Sequence, residues 1–229
     1  MKGTVHYEVK DGVAILTVDN PPVNPLSDGV RAGLVDNIKK AEDDSDIIGV
    51  VLTGAGRSFI AGADISEFGK SPDGPGLDEA FKSLEFCSKP VVAAINGSAL
   101  GGGLETALVC NYRIAGPAAF VGLPEVNLGL LPGAGGTQRL PRLVGPAEAL
   151  KMMLTGMHVN AKKALDMGII DEISDDLIND SVNFVKKVSS ESGDHPKVRD
   201  LNEKVLEARG SENILLEAKA MAAKSRKGQ

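Results

Sequence analysis

A short apolar run followed by three consecutive glycines constrains this chain more than any other stretch. The run from Pro90 to Ile95 is rich in β-branched residues, which is typical of a buried strand. Gly101 to Gly103 follow the run, and Leu104 to Val109 then show a helical pattern. Backbone N–H groups at the start of a helix have no intrahelical partner, and consecutive glycines leave them unshielded. This stretch therefore predicts an electropositive niche, made of backbone, beyond the carboxyl end of a strand.

Two carboxylates accompany this niche. Glu105 lies one turn into the helix, and Glu125 follows twenty positions later in the segment Gly122-Leu-Pro-Glu-Val. Backbone donors beside two carboxylates are the parts needed to polarise a carbonyl group and to move a proton next to it. Each glutamate also has a structural interpretation. Glu105 could be a solvated residue in the first turn of a helix, stabilised by the helix dipole, and Glu125 could cap a short helix. The spacing alone leaves both interpretations open.

The first third of the chain predicts a β-hairpin followed by a strand–helix–strand unit. Apolar residues alternate over residues 5–9 and 14–18 on either side of Asp11-Gly12, which is typical of a hairpin. Ser27 is placed to cap a helix whose apolar positions recur at helical spacing, and a buried strand follows at Ile47 to Thr53. This order predicts α/β layering with parallel strands. Further on, the Pro-, Gly- and Asp-rich segment from Gly69 to Gly76 predicts a surface loop.

The last third of the chain predicts mostly helices. One helix is expected at Pro146 to Thr155 and another at Ala161 to Met167, which Gly168 ends; Ile169 to Ile173 is expected to form a short strand or an extended return. From Asp175 onward the expected helices run to about Ser190, from Val198 to Arg209, and from Glu212 to Lys224. We therefore divide the chain into a core with the active site, residues 1–174, and a C-terminal helical region, residues 175–229.

Charge, hydropathy and cysteine content exclude several classes of function. The 229 residues carry a formal net charge of −6, which argues against non-specific nucleic-acid binding because that requires a basic face. No apolar run approaches the ~18 residues of a membrane span and no apolar leader precedes Val5, so neither a membrane partner nor secretion is expected. Cys87 and Cys110 are expected to be buried free thiols, which suggests a reducing compartment.

The common cofactor and nucleophile motifs are missing from the sequence. The dinucleotide fingerprint G-x-G-x-x-G fails after Gly101 and Gly103, because Thr106 occupies the position of the third glycine. The three histidines are scattered without metal-ligand spacing, and no serine stands in a G-x-S-x-G elbow. We therefore expect neither metal catalysis nor serine nucleophile chemistry.

Three segments resemble the enoyl-CoA hydratase/isomerase family, also called the crotonase superfamily. They are SFIAGADI at Ser58 to Ile65, GSALGGGLETAL, and VGLPEVNLGLLPGAGGTQRLPRLVG. The resemblance covers roughly residues 5–190 and is strongest to the N-terminal hydratase part of the bifunctional enoyl-CoA hydratase/3-hydroxyacyl-CoA dehydrogenases. It implies an α/β fold in which repeated ββα units wind into a superhelix, with a helical C-terminal part. Beyond residue 190 the segment Asp194-His-Pro-Lys-Val-Arg-Asp resembles the connector of the bifunctional enzymes, so the chain is either a fragment of such an enzyme or a short family member.

The resemblance assigns roles to individual residues. Glu105 and Glu125 match the two catalytic carboxylates of the family, and the N–H groups of Ala61 and Gly102 match its oxyanion hole. The substrate-binding residues implied in the same way are Ala61, Gly62, Ala63, Asp64, Gly102 and Gly133. Asp64 also has a structural interpretation as a residue that caps a loop.

The function implied by the resemblance is hydration of a 2-enoyl-CoA to a 3-hydroxyacyl-CoA in fatty-acid β-oxidation, with Δ3,Δ2-enoyl isomerisation open as a side activity. Coenzyme A is then part of the substrate, and neither a cofactor nor a metal is needed. The alternative is a non-catalytic protein of the same fold that binds acyl-CoA or serves as a scaffold. The family forms trimers, whereas a fragment of a bifunctional enzyme would be monomeric. The implied location is the cytoplasm in a bacterium, and otherwise the matrix of a peroxisome or mitochondrion.

Overall fold

The first two strands form the predicted hairpin, and the next six strands alternate between two sheets. The structure is a computed structural model and describes residues 3–67, 69 and 73–225. The strands are β1 (Thr4–Lys10), β2 (Val13–Asp19), β3 (Gly49–Gly54), β4 (Ser58–Ile60), β5 (Val91–Ile95), β6 (Ser98–Leu100), β7 (Tyr112–Ala115), β8 (Phe120–Gly122), β9 (His158–Asn160) and β10 (Glu172–Ile173). The predicted loop at 69–76 includes residues 70–72, which lie outside the described residues.

Nine α-helices are present in the described part of the chain. They are α1 (Asp28–Asp43), α2 (Leu77–Glu85), α3 (Gly102–Val109), α4 (Gly136–Val144), α5 (Pro146–Thr155), α6 (Ala161–Met167), α7 (Leu177–Ser189), α8 (Glu203–Glu207) and α9 (Glu212–Ser225). Short 3₁₀ turns occur at Ile65–Glu67, Glu125–Leu128 and Val198–Asp200. Within the described ranges, none of these helices has the length and apolar character needed to span a bilayer.

The strand pairing shows a repeating ββα unit. The larger sheet has the order β1-β2-β3-β5-β7-β10, and the smaller sheet has the order β4-β6-β8-β9. The first strands of three successive units, β3, β5 and β7, lie side by side and parallel in the larger sheet. Their second strands, β4, β6 and β8, do the same in the smaller sheet. Each ββα unit therefore lies beside the previous one, displaced by one strand in each sheet. This arrangement is the superhelix that the resemblance implies.

The central strands of the larger sheet, β2, β3 and β5, are buried on both faces. Along β2, Ala14, Leu16 and Val18 face the main core, whereas Val13 and Ile15 pack in a second cluster with Val182 and Val185 of α7. Sheets covered on both faces have continuous apolar strands rather than alternating ones, which explains the apolar run at residues 90–95. Each fully buried aliphatic side chain of this kind contributes roughly 1.5–3 kcal/mol relative to an exposed one.

Most of the predicted elements are confirmed. The hairpin, the parallel pairing of β2 with β3, and the helices at 28–43, 146–155 and 161–167 all form. Ser27 is the N-cap residue of α1, but its side chain makes no capping bond to the helix; its hydroxyl accepts a hydrogen bond from Nδ2 of Asn20 at 3.0 Å. Cys87 and Cys110 are free thiols, the first partly buried and the second buried.

The helix predicted at Val198 to Arg209 is wrong. A 3₁₀ turn at Val198–Asp200 is followed by Leu201 in an extended conformation, and only Glu203–Glu207 then form an α-helix. Val198 is buried while Leu201 and Leu206 are about half exposed, so there is no continuous apolar face to hold a single longer helix against the core. The short strands of the smaller sheet and helix α4 were not predicted.

Candidate active site

Helix α3 is buried along its whole length, and its glycines allow the close packing. All eight of its residues are buried, which is unusual for a helix that carries a glutamate. A Cβ atom on Gly103 would lie 1.8 Å from the carbonyl oxygen of Ile60, so a side chain at this position would drive α3 away from β4. Gly101 precedes the helix with a φ of 54°, which favours glycine. The three consecutive glycines thus bring the first turn of α3 against the end of β4.

Glu105 extends from this buried turn and is held by two backbone donors. Its side chain is 3% exposed, and Oε1 accepts hydrogen bonds from the N–H groups of Ala134 at 2.9 Å and Gly136 at 2.7 Å. Burial raises the pKa of Glu105 above its ordinary value, while these two hydrogen bonds and the positive charge of Arg139 oppose the rise. Glu105 is therefore a fixed carboxyl group, and desolvation makes its carboxylate more basic.

Glu125 begins the 3₁₀ turn that follows β8. Its Oε2 atom is buried and has no hydrogen-bond partner among the described residues. Burial raises the pKa of Glu125 to about 7; the charge of Glu105 adds to the rise, and its own backbone N–H opposes it. A carboxyl group with this pKa exchanges its proton close to neutral pH, which is the property needed in a general acid or base.

Two free backbone N–H groups lie beside these carboxyl groups. Gly102 is the first residue of α3, so its N–H has no intrahelical acceptor. The nitrogen of Ala63 lies 3.2 Å from the place where a Cβ atom on Gly102 would stand, so the two backbones are in close contact. Among the described residues, neither N–H group has a hydrogen-bond acceptor. Gly102 and Ala63 thus form a pair of unoccupied donors.

Ala61, which the resemblance implied as one of the oxyanion-hole donors, is placed differently. Its N–H donates a hydrogen bond to the carbonyl oxygen of Val23 at 3.1 Å, so it is already occupied by the protein itself. The next residue, Gly62, is also hydrogen-bonded within the protein, because its carbonyl oxygen accepts a bond from the N–H of Leu26 at 2.9 Å. The free N–H group beside Gly102 is therefore that of Ala63, two residues further along the same motif than Ala61.

A cavity of about 570 Å³ brings most of the predicted site residues together. Of the predicted set, it is lined by Ala61, Gly62, Ala63, Gly102, Glu105, Glu125 and Gly133. Leucine side chains at 77, 100, 128, 130 and 131 form much of the remaining wall. A largely apolar cavity with a few polar groups at one point is the usual form of a small-molecule site.

Asp64 does not line this cavity. Its Oδ1 accepts a hydrogen bond from the N–H of Ser66 at 2.9 Å, and its carbonyl oxygen accepts one from the N–H of Glu67 at 3.1 Å. Asp64 therefore caps the 3₁₀ turn at Ile65–Glu67, and the structure supports the structural interpretation of this residue.

The described residues contain no group of three or more His, Cys, Asp or Glu side chains arranged to hold a metal ion. The polar groups that line the cavity include the two backbone donors, the two carboxyl groups and the side chains of Asn127 and His158. The donors and the carboxyl groups suit a carbonyl substrate that gains negative charge during the reaction.

Comparison with known proteins agrees with this geometry. The sequence profile of the family described as enoyl-CoA hydratase/isomerase matches residues 8–224. The chain belongs to this family. The α/β superhelix is also that of family structures: the crystal structure of an enoyl-CoA hydratase from Bacillus anthracis superposes with a TM-score of 0.74 at 30% identity, over 100% of this chain and 90% of that one.

Two relatives illustrate the range of proteins in the family. A peroxisomal bifunctional enzyme of Danio rerio is 51% identical over 170 residues, which are 74% of this chain and 24% of that protein. A probable enoyl-CoA hydratase of Bacillus subtilis (strain 168) is 44% identical over 173 residues, which are 72% of this chain and 67% of that protein. The chain thus spans about a quarter of the length of the bifunctional relative.

Sequence reasoning missed the groups that hold Glu105. Ala134 and Gly136 bind its carboxylate through backbone N–H groups, and backbone hydrogen bonds leave no trace in residue type. The only hint was the glycine-rich segment at 133–136, since a Cβ atom on Gly136 would lie 3.0 Å from Oε1 of Glu105. The buried pair of Glu85 and Arg139, which lies next to this segment, was also missed.

Proposed function

We propose that this chain is an enoyl-CoA hydratase, which adds water across the 2,3 double bond of a 2-enoyl-CoA to give a 3-hydroxyacyl-CoA in fatty-acid β-oxidation. One observation carries the proposal: two unoccupied backbone donors and two carboxyl groups in different electrostatic environments line the same apolar cavity. Family relatives named as hydratases and as bifunctional β-oxidation enzymes support it.

The backbone donors would bind the thioester carbonyl oxygen. Hydrogen bonds from the N–H groups of Ala63 and Gly102 stabilise the negative charge that develops on this oxygen as an enolate forms. The N-terminal end of α3 adds its dipole in the same sense. Polarisation of the carbonyl group makes the β-carbon electrophilic, because the double bond is conjugated with it.

The two glutamates would then move the protons. Glu105, as carboxylate, takes a proton from a water molecule whose oxygen bonds to the β-carbon. Glu125, as neutral acid, gives a proton to the α-carbon of the enolate, and the π bond is lost. Glu105 is then protonated and Glu125 ionised, so exchange of one proton between them or with solvent restores the starting state. The pKa of about 7 at Glu125 supports its role as the acid.

Isomerisation of a 3-enoyl-CoA to a 2-enoyl-CoA is the second candidate activity. It needs one carboxyl group that removes a proton from one carbon and returns it to another. Glu125 suits this task because its buried Oε2 has no protein partner among the described residues.

The remaining features of the proposal follow from the family. We infer that acyl-CoA is the ligand and that no redox cofactor or metal takes part, because the mechanism uses proton transfer alone. Named relatives are peroxisomal and bacterial, which supports a peroxisomal matrix or a bacterial cytoplasm as the location. Light scattering on the purified chain would distinguish a trimer from a monomer.

The test follows the ultraviolet absorbance of the conjugated thioester when the purified chain meets crotonyl-CoA or a longer 2-enoyl-CoA. Hydration removes the absorbance, and Glu105→Gln and Glu125→Gln should each slow the loss by about 10²-fold or more. If the folded parent binds both thioesters without any loss of absorbance, the non-catalytic alternative replaces the hydratase proposal.

A further inference from the structure

A buried ion pair lies directly behind the loop that holds Glu105. Glu85 on α2 is 2% exposed, and both of its carboxylate oxygens are bound by the guanidinium group of Arg139 on α4. The Arg139 Nε to Glu85 Oε1 distance is 2.9 Å, and the Arg139 Nη2 to Glu85 Oε2 distance is 2.8 Å. Arg199, which is about half exposed, adds a longer contact of 3.3 Å to Oε2. This bidentate geometry fixes the plane of the Arg139 guanidinium group.

The third nitrogen of this guanidinium group reaches the loop itself. Nη1 of Arg139 donates a hydrogen bond to the carbonyl oxygen of Ala134 at 3.3 Å, while the N–H of the same residue donates to Glu105. The next residue, Gly135, has a φ of 102°, and a Cβ atom there would lie 2.0 Å from Nη1. The guanidinium group therefore packs against the backbone of residues 134–135, immediately behind the two N–H groups that bind the Glu105 carboxylate.

We propose that Glu85 and Arg139 are positioning residues for Glu105: their ion pair fixes the loop whose Ala134 and Gly136 N–H groups hold its carboxylate. The inference rests on the proposed function only for its kinetic consequence. Buried ion pairs contribute little net stability compared with apolar pairs of similar size, so stability alone does not account for this one. The contact of the ion pair with the loop that holds Glu105 does account for it.

Arg139 acts on Glu105 through its positive charge as well as through the position of its guanidinium group. The elements packed against α3 carry the charged residues Asp78, Glu79, Lys82 and Glu85 on α2, Arg139 and Arg142 on α4, Arg199 and Asp200 in the turn at 198–200, and Arg113 on β7. Glu125 in the turn at 125–128 interacts electrostatically with Glu105. Arg113 is occupied by Asp171 and by the carbonyl oxygens of Cys110 and Ile169. Burial raises the pKa of Glu105, and the charge of Arg139 opposes this rise in addition to the larger effects of the hydrogen bonds from Gly136 and Ala134.

Two variants separate position from charge. Arg139→Lys keeps the positive charge but loses the planar fork that binds Glu85 and Ala134 together. The double variant Glu85→Leu/Arg139→Leu removes both charges without leaving either one buried and unpaired. The matched control is Asp78→Asn/Lys82→Gln, which removes an exposed ion pair on α2, one to two turns from Glu85.

The first readout is the titration of the Glu105 carboxyl carbon in the free protein, followed by ¹³C NMR and assigned by its absence in Glu105→Gln. We expect Glu105 to titrate at higher pH in Arg139→Lys and in the double variant than in the parent, because both loosen the loop whose Gly136 and Ala134 hydrogen bonds lower its pKa. In the control it should titrate near the parental pH. An unchanged titration in a folded Arg139→Lys variant would overturn the positioning of the loop, and an unchanged titration in a folded double variant would overturn the role of the Arg139 charge as well, whether or not the chain hydrates enoyl-CoA.

The second readout is kcat for hydration. Displacement of a catalytic group by about 1 Å can cost on the order of 10²-fold in rate, so we expect kcat to fall by about tenfold to a hundredfold in both Arg139 variants. The control should stay within about twofold. If Arg139→Lys and the double variant fold and retain parental kcat, the pair is purely structural and the proposal is wrong. An inactive parent would instead contradict the hydratase proposal, and the NMR titration would still decide this inference.

Discussion

The carboxyl group of Glu125 exchanges its proton close to neutral pH in the folded chain, and the rise of its pKa makes the stability of the chain depend on pH. Burial raises its pKa from 4.5 to about 7 in the folded chain, so the unfolded chain releases this proton at lower pH than the folded chain does. The resulting loss of stability is absent below pH 4.5, grows as the pH rises, and is complete above pH 7. Glu125→Gln should therefore unfold at a higher temperature than the parent at pH 8, with an advantage that disappears towards pH 4.5.

Thermal unfolding monitored by circular dichroism across this pH range tests the prediction. The matched control is Glu8→Gln on the exposed face of β1, which should show no pH-dependent advantage.

In the parent, kcat/KM for hydration should fall as the pH rises through about 7, because the acid form of Glu125 is lost. A rate that rises through this pH would reverse the roles of the two glutamates.

The choice of Ala63 over Ala61 can be tested at the single atom concerned. Incorporation of lactic acid in place of an alanine exchanges the backbone N–H for an ester oxygen. At position 63 this should lower kcat by about 10²–10³-fold with little change in stability. At position 61 it should cost about 1 kcal/mol of stability through the lost hydrogen bond to Val23, with kcat near the parental value. The opposite result would restore Ala61 as the donor.

The sequence was informative about which side chains meet and less so about backbone atoms. Glu105 and Glu125 line one cavity with Gly102, as their motifs imply. Ala61 and Ala63 stand in the same short motif, and only the pairing of Ala61 with Val23 shows which N–H is free. Glu85 and Arg139 are 54 residues apart, and neither residue stands out in the sequence as part of a pair. Long-range pairing of this kind requires the fold.

At the scale of elements, long periodic segments were predicted well and the shortest ones were missed. Helix α1 and the buried strands β3 and β5 have enough residues to show a period or a continuous apolar run. The strands β4, β6, β8 and β9 have three residues each, which is too short for an alternation to be visible. They form because β3, β5 and β7 align the successive units, so their pairing is a consequence of the repeat rather than of local propensity.

The contact between α3 and β4 gives a prediction for one glycine of the triplet. Gly103→Ala should destabilise the chain by about 3 kcal/mol or more, because its Cβ atom would meet the carbonyl oxygen of Ile60, a backbone atom that no rotamer change can move. Gly116→Ala is the control, since the nearest atom to its Cβ would be 3.8 Å away. Denaturant unfolding of both variants measures the difference. Equal stabilities would show that α3 can shift without cost.

The larger sheet needs helix α7 to cover one of its faces. The face of the sheet turned towards α7 is apolar and includes Val13, Ile15, Val51, Val92, Ala94 and Ile114. Val182 and Val185 of α7 cover it, and Val185 Cγ1 lies so close to Gly49 that a Cβ atom there would be 2.4 Å from it. The predicted division of the chain after residue 174 stays a prediction, but it would separate this helix from the sheet it covers.

Truncation tests this dependence. A chain of residues 1–174 should fail to unfold cooperatively and should bind the dye ANS, because one face of its sheet would be exposed to water. A chain of residues 1–210, which loses only α9, should keep a cooperative transition, since α7 remains in place. A cooperative transition in the shorter chain would instead establish residues 1–174 as an independent folding unit.

The distribution of burial around the cavity also bears on how such a protein can change over evolutionary time. The groups to which we assign the chemistry lie on or against α3, where every position is buried and a change of size disturbs the fold. Leu128 and Leu131 also line the cavity, and they are 65% and 77% exposed, so they could be exchanged at little cost to folding. Selection for a different acyl group can therefore act on these leucines while the groups proposed for proton transfer are conserved. One lineage could acquire new substrates in this way and keep the same catalytic groups.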